Sequence, residues 1–424
     1  MSKYEKYKPS GIEGIGDVPE HWKVTHLKRD LKFYNNIRIP LSSEERADLD
    51  NIYDYYGASG VIDKVDRYLF DGDYILIGED GANLLDRNSP LAFKATGKFW
   101  VNNHAHIIKP INGNIDFFVY FLESIDFTVF ITGSAQPKLT IESLSGVRMI
   151  IPPVSEQLTI ANYLDNQTQK IDRLISNKKA QADKLKELRQ IEIDNAVTKG
   201  LNPNIELKDS GIDWLGKIPK HWEVKRLKKF TTKVGSGVTP KGGSEVYEET
   251  GIPLFRSQNI HFDGLRTDDI VYITDEVHQS MSGSKVEPND VLLNITGASI
   301  GRCYFYDGSM GEANVNQHVC IIRTNSKLDY RYLQQFMSSD CAQSQIFMGQ
   351  TGTSREGLTF QDIKNMFIPT PPSHEQIEIT DFVKIRTNKI DKLIKNIETQ
   401  IEKLQELRKI KIYEAVTGKI KVTA

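Results

Sequence analysis

The chain is written twice, and that repetition constrains its fold more than any single motif does. Ser10 to Lys28 (SGIEGIGDVPEHWKVTHLK) aligns with Ser210 to Lys228 (SGIDWLGKIPKHWEVKRLK) at an offset of 200, with ten of nineteen positions identical. Gly16/Gly216, Pro19/Pro219, His21/His221 and Trp22/Trp222 are among them. Lys170 to Thr198 aligns with Lys389 to Thr417 at an offset of 219, with 17 of 29 identical, so the second copy carries nineteen extra residues between its matched ends. In between, VNNHAHIIK (Val101 to Lys109) echoes VNQHVCIIR (Val315 to Arg323), and TGSAQPKLT (Thr132 to Thr140) echoes TGTSREGLT (Thr351 to Thr359); the rest barely aligns. Each copy is a variable globular block followed by a well-matched helical block: a common frame holding two different readers. A length of 424 residues also exceeds one compact core and suggests two to four domains.

The helical blocks carry no proline or glycine from Val154 to Lys199 or from Ser373 to Thr417, and proline pairs (Pro152-Pro153, Pro371-Pro372) precede both. Ser373 with Gln376 predicts a capping box. Ile390, Leu393, Ile397, Gln400, Leu404 and Leu407 step by three and four as a heptad seam, and Ile171, Leu174, Lys178, Gln181, Leu185 and Leu188 repeat the register. Forty-odd helical residues span roughly 60 Å, too long to bury a seam on a small domain, so the two helices are expected to pack on each other. The polar steps Lys178, Gln181 and Gln400 would fix register at some loss of stability. The divergent blocks read as mixed α/β: YILIG (Tyr74 to Gly78), VLLNITG (Val291 to Gly297), HAHIIK and HVCIIR as strands, and DFFVYFLES (Asp116 to Ser124) and DYRYLQQFMSS (Asp329 to Ser339) as helices.

Composition excludes several classes. Apolar residues are 39% and charged residues 26%, and no run of eighteen apolar residues or charged-then-apolar leader occurs, so neither a membrane span nor a secretory signal is expected. Three cysteines (Cys303, Cys320, Cys341) do not make a disulfide framework, and a reducing cytoplasm fits. There is no P-loop; the lysine of GSGVTPKGG (Gly235 to Gly243) is misplaced for one, and Gly11, Gly14 and Gly16 lack dinucleotide-binding spacing. IPPV and TPPS lack the aromatic end of an amino-methyltransferase tetrapeptide, so no cofactor is expected. His104 and His106 form an H-x-H on one strand face, but the other copy has His318 and Cys320 and no further ligand recurs, which argues for structural histidines beside a ligand or DNA groove rather than a metal site.

Charge placement points to a partner. Fifty-four basic residues against fifty-six acidic ones exclude a free-standing basic coat. Yet Val224 to Ser244 holds Lys225, Arg226, Lys228, Lys229, Lys233 and Lys241 with no acid, and Val24 to Ser43 holds Lys28, Arg29, Lys32 and Arg38 against Asp30 alone. A basic strip opening each divergent block is the footprint of phosphate contact.

With the doubled S-G-I-x-x-x-G-x-[IV]-P-x-H-W openings, the doubled T-G-x-x-x-x-x-L-T, the P-P-[VS] helix starts and the KID-x-LI, KL-x-EL-R and AVT matches, the whole chain resembles the DNA-sequence specificity subunit of type I restriction-modification systems. The resemblance implies two α/β (α+β) target recognition domains in pseudo-twofold tandem, separated by two long antiparallel coiled-coil helices. It implies no catalysis by this chain: two methyltransferase subunits would dock on it and methylate adenine, and restriction subunits would translocate and cleave. The expected layout is an N-terminal segment at 1–22 near the C-terminal helix, recognition domains at 23–152 and 223–371, spacer helices at 153–200 and 372–424, and a linker at 201–222 repeating the N-terminal segment. Because the two recognition domains differ, the double-stranded DNA target should be bipartite and asymmetric.

Base reading needs paired donors and acceptors in the major groove. Beside glycine turns and shared motifs the chain offers Gln136 and Lys138, Ser354 and Arg355, Asn83 and Arg87, Ser299 and Arg302, and Gln258 and Asn259; Lys28, Arg29, Lys228 and Lys229 are candidates for phosphate. A stand-alone nuclease would need a carboxylate–lysine cluster, and none recurs in the two copies. A pure scaffold would have no reason to vary its two globular blocks.

Overall fold

Each proline pair is followed at once by a long helix, Val154–Lys199 and Ser373–Val416. The computed structural model of the chain describes residues 2–47, 49–133, 136–348 and 357–423. It comprises two compact units, Met1–Lys179 with Thr399–Ala424, and Ala180–Glu398, so each long helix gives one part of its length to each.

Within the first unit Ile160, Ala161 and Leu164 share a core with Ile412, Ala415 and Val416, and Arg408 Nε donates to Asp172 Oδ1 at 2.9 Å. In the second unit Ile193, Ala196 and Val197 share a core with Ile379 and Val383, and Arg189 Nε donates to Asp391 Oδ1 at 2.9 Å. Numbers rise along one helix as they fall along the other, so the pairing is antiparallel in both units. The two ion pairs are the same pair, displaced by the 219-residue repeat.

The seam differs from the predicted one at every second step. Covered positions run 171, 175, 178, 182, 185, 189 in the first helix and 390, 394, 397, 401, 404, 408 in the second, where the predicted Gln400 is also half-buried beside Ile401. Ile171 and Ile390 are 6% exposed and Ile394 9%, but Leu174 and Leu393 are 49% and 51% exposed. Each heptad therefore steps four then three, the reverse of the sequence reading. Apolar leucines at both alternatives hid the difference. Gln181 stands outside the seam, and its polar steps are Lys178 and the two paired arginines.

The globular parts share one wiring on two sequences. A central antiparallel sheet runs Leu31–Phe33, Ala105–Pro110, Tyr74–Gly78, Ala92–Ala95 in the first unit, and Thr231–Ser236, Val319–Thr324, Val291–Asn294, Cys303–Phe305 in the second. Its middle strands are buried over most of their length because both faces are covered, and their charged residues, Lys109 and Arg323, stand toward one end. Ile75 and Ile77 face the core shared with the long helices, and Leu76 faces a second sheet; Val291, Leu293 and Leu292 do the same. That second sheet has a parallel central pair in both units, Tyr53–Gly57 with Lys98–Val101 and Ile252–Phe255 with Ala313–Val315. The predicted helices form as Ile115–Ser124, capped by Asn114, and Tyr330–Met337, capped by Asp329.

Gln376 makes no capping box. Its Oε1 accepts from Asp329 N at 2.8 Å and its Nε2 donates to Pro371 O at 2.9 Å. Gln157 repeats this with Asn114 N and Pro152 O, so the buried glutamine ties the start of each long helix to the cap of the neighbouring short one. A tertiary partner has taken the side chain that local capping would have used.

Candidate nucleic-acid interface

The doubled P-x-H-W opening is a clamp. Trp222 is fully buried, and its Nε1 donates to Glu375 Oε2 at 2.9 Å while His221 Nε2 lies 2.6 Å from Glu375 Oε1. In the first unit Trp22 Nε1 and His21 Nε2 hold Glu156 at 3.1 and 2.6 Å. The glutamates sit in the first helical turn, where the macrodipole favours a carboxylate. The same tryptophans receive the opposite helix end: a Cβ on Gly418 would lie 2.4 Å from Pro19 Cδ and 3.2 Å from Trp22, and one on Gly200 would lie 3.2 Å from Trp222. Both glycines are left-handed, at φ +71° and +74°, which suits the residue ending a helix. Tyr413 Oη donates to Gly14 O and Lys419 Nζ to Ile15 O, both at 2.6 Å, seating the N-terminal segment on the end of the second helix.

Each frame carries a second repeated device where the chain crosses from one sheet to the other. Asn102 Oδ1 accepts from His104 N at 2.8 Å and Asn102 N donates to Tyr56 O at 3.0 Å. Asn316 does the same with His318 N at 3.1 Å and Phe255 O at 3.1 Å. The second residue past the buried strand then meets the histidine: Asp80 Oδ1 lies 2.8 Å from His104 Nδ1, and Thr296 Oγ1 lies 2.6 Å from His318 Nδ1. Single bridges Asp80–Lys138 and Thr296–Gly357 bring the seventh residue of each T-G-x-x-x-x-x-L-T segment to the same strand end in both units.

His106 lies outside this exposed group. It is fully buried, with Nε2 2.7 Å from Leu139 O and Nδ1 2.7 Å from Asn35 Nδ2; burial pushes its pKa down, so it is a neutral structural histidine. Cys320 takes its place in the second unit, its thiol pushed up to about 12 by burial. Beside them Arg38 Nη1 reaches Glu79 Oε2 at 2.6 Å and Lys138 Nζ lies 3.3 Å from Glu79 Oε1. Burial raises the Glu79 carboxyl, but the Arg38 and Lys138 bonds win and hold it below its ordinary value. Among the described residues, no group of three or more His, Cys, Asp or Glu side chains is placed to hold a metal ion.

The candidate residues divide by place. Gln258, Ser299 and Arg302 come together with Ser257, Thr296 and His318 around a shallow depression of about 440 Å³. Gln136 and Lys138 are exposed at the equivalent strand end of the first unit. Asn259 is fully buried and spent on Arg256 N, Arg266 O and Asp269. Asn83 closes its own loop onto Ser89, and Arg87 Nη2 donates to Glu123 O at 2.7 Å. Ser354 and Arg355 lie outside the described residues.

Lys28, Arg29, Lys228 and Lys229 are exposed on short turns, Leu27–Asp30 and Leu227–Lys229. Their strands pair Leu31 with Pro110 and Thr231 with Thr324, so they stand at the far end of a six-residue strand from the histidine corner, about 20 Å away. The basic strips therefore break up: Arg38 joins the corner, Lys225 pairs with Glu223, and Lys233 donates to Lys285 O. Sequence reasoning set His104 and His318 beside a ligand or DNA groove without choosing them as contact residues, and it passed over Asp80 and Thr296; the repeated V-N-x-H was the signal for this corner.

The sequence profile of the type I restriction modification DNA specificity domain matches residues 15–184 and again 219–403. The chain belongs to that family. Two copies make it a type I restriction-modification specificity subunit with two recognition domains, whose role is specificity rather than catalysis. A Haemophilus influenzae protein named as type I restriction enzyme specificity subunit S.HindORF215P is 28% identical over 87% of this chain and 89% of its own length. The type I restriction enzyme MjaVIII specificity subunit of Methanocaldococcus jannaschii is 22% identical over 100% and 98%. A chain from a solved structure described as "Structural basis underlying complex assembly and conformational transition of the type I R-M system" shares the fold of this specificity subunit. Its TM-score is 0.69 at 15% identity, over 95% of this chain and 99% of that one. No helix among the described residues is long and apolar enough to cross a membrane.

Proposed function

We propose that this subunit reads an asymmetric, bipartite DNA target, with recognition domains at 23–152 and 223–371 each inspecting one half. The observation that carries the reading is the pairing of one wiring with two unlike rims. Around the same strand end the first unit presents Asp80, Gln136 and Lys138, and the second presents Gln258, Thr296, Ser299 and Arg302. These are side chains with the donors and acceptors that base edges require. The gap between the half-sites would follow from the length of the spacer helices, 46 and 44 residues, which pass from one unit to the other.

The outer face of the helices supports docking of two methyltransferase subunits, and of restriction subunits through them. Exposed apolar residues recur at the 219-residue offset: Leu158 with Ile377, Leu174 with Leu393, Leu188 with Leu407, and Ile191 with Ile410. Water-facing apolar side chains repeated at one offset are what two copies of one partner would cover. The complex would work in the cytoplasm on adenine. Mapping methylated adenines across the genome with and without this chain tests the reading. Loss of one asymmetric split motif is expected; loss of a palindrome, of a continuous motif, or of none would refute it.

A further inference from the structure

Within the divergent blocks very little is shared, and most of what is shared serves the fold. Val101 and Val315 are fully buried, Asn102 and Asn316 shape the turn, Leu139 and Leu358 are buried, and Thr140 and Thr359 cap helices. His104 and His318 are different. The His104 side chain is 51% exposed, His318 is half-buried, and neither imidazole fills a core. Each is nevertheless held by a buried asparagine on its backbone and by residue 80 or 296 on Nδ1. The anchor has changed from carboxylate to hydroxyl while the histidine has stayed. A side chain that two readers of different sequences both keep, at the rim and without a packing duty, faces something common to both half-sites. In a duplex, the common element is the sugar–phosphate backbone.

We propose that His104 and His318 are paired phosphate contacts, setting each recognition domain on the backbone while the unlike neighbours read bases. This rests on the DNA-reading role above. With Nδ1–H given to the Asp80 carboxylate, a His104 that donates from Nε2 to phosphate is an imidazolium between two anions. In the second unit the exposed Gln317 amide donates from Nε2 to His318 Nε2 at 2.9 Å; a phosphate that displaces it would receive the Nε2 proton of a neutral ring whose Nδ1 accepts from the Thr296 hydroxyl. The first contact is therefore charged and the second is not.

The test uses the full chain, binding to a random-sequence duplex pool across a salt series, together with selection of preferred sequences from that pool. His104→Ala is expected to weaken binding to all duplexes roughly ten-fold and to flatten the salt slope by about 0.9. His318→Ala should weaken it with little change in slope. Neither should alter the selected bases, and His104→Lys, which restores a cationic donor, should recover most of the affinity. Unchanged affinity, an altered base preference in one half-site, or failure of the lysine rescue in a variant that melts like the parent overturns the assignment. If the unaltered chain binds no duplex at all, the DNA-reading role falls with it. If the parent selects a split site and the histidine variants behave like it, only the phosphate contacts fall.

Discussion

Glu375 accepts from a fully buried indole and meets an exposed imidazole, so the two partners should not weigh equally. Glu375→Ala strands the Trp222 N–H away from water and should lower stability by about 1–3 kcal/mol, whereas His221→Ala should cost about 0.5 kcal/mol or less. Denaturant unfolding of the two variants checks this, and equal losses would refute the clamp. Asp194 gives a pH prediction. Burial, with the nearby Asp340 charge, raises its pKa from 3.8 to about 6, so the folded state holds the proton more tightly than the unfolded one. The resulting stabilisation is complete below pH 3.8 and is lost as pH rises through about 6. Asp194→Asn, which can still accept from Asp340 N, should therefore raise stability by about 1 kcal/mol at pH 8 and change little at pH 3.5. Melting curves at the two pH values decide it. The clamp's tryptophan and histidine were visible as a repeat, but their glutamate partners, 134 and 153 positions away from the tryptophans, were not.

Among elements, the long helices were legible from their freedom from proline and glycine, and their pairing from their length. The facing side of each was not, because Leu393 and Ile394 are both apolar and one step apart. Burial assigns Ile394 to the seam and Leu393 to the outside. Ile394→Ala should then cost about 2–4 kcal/mol, and Leu393→Ala only about 0.5 kcal/mol or less in the free chain. Equal melting shifts would contradict the four–three register. Leu393→Ala together with Leu174→Ala should instead weaken capture of the methyltransferase subunits, measured by co-purification. The predicted basic strips met a similar fate: contiguous in sequence, they were divided by a strand whose rise carries residues 28 and 38 to opposite ends.

For the whole molecule, helix length is expected to set the unread gap in the target. Adding one heptad to both helices at equivalent positions, after Lys178 and after Ile397, keeps the seam in register and extends each by about 10 Å, or roughly three base pairs. The methylated motif should keep both half-sites and gain that gap; an unchanged gap would show that the helices do not measure it. Duplication, the two long helices and the unlike globular blocks could all be read from the sequence alone, because repeats and heptads are local patterns carried by neighbouring residues. The tertiary structure alone decided which seam is buried, which polar side chains are spent inside the protein, and which stand together at a rim. Those outcomes depend on contacts between residues far apart in the chain, where burial and competition for hydrogen-bond partners, rather than spacing, choose the winner.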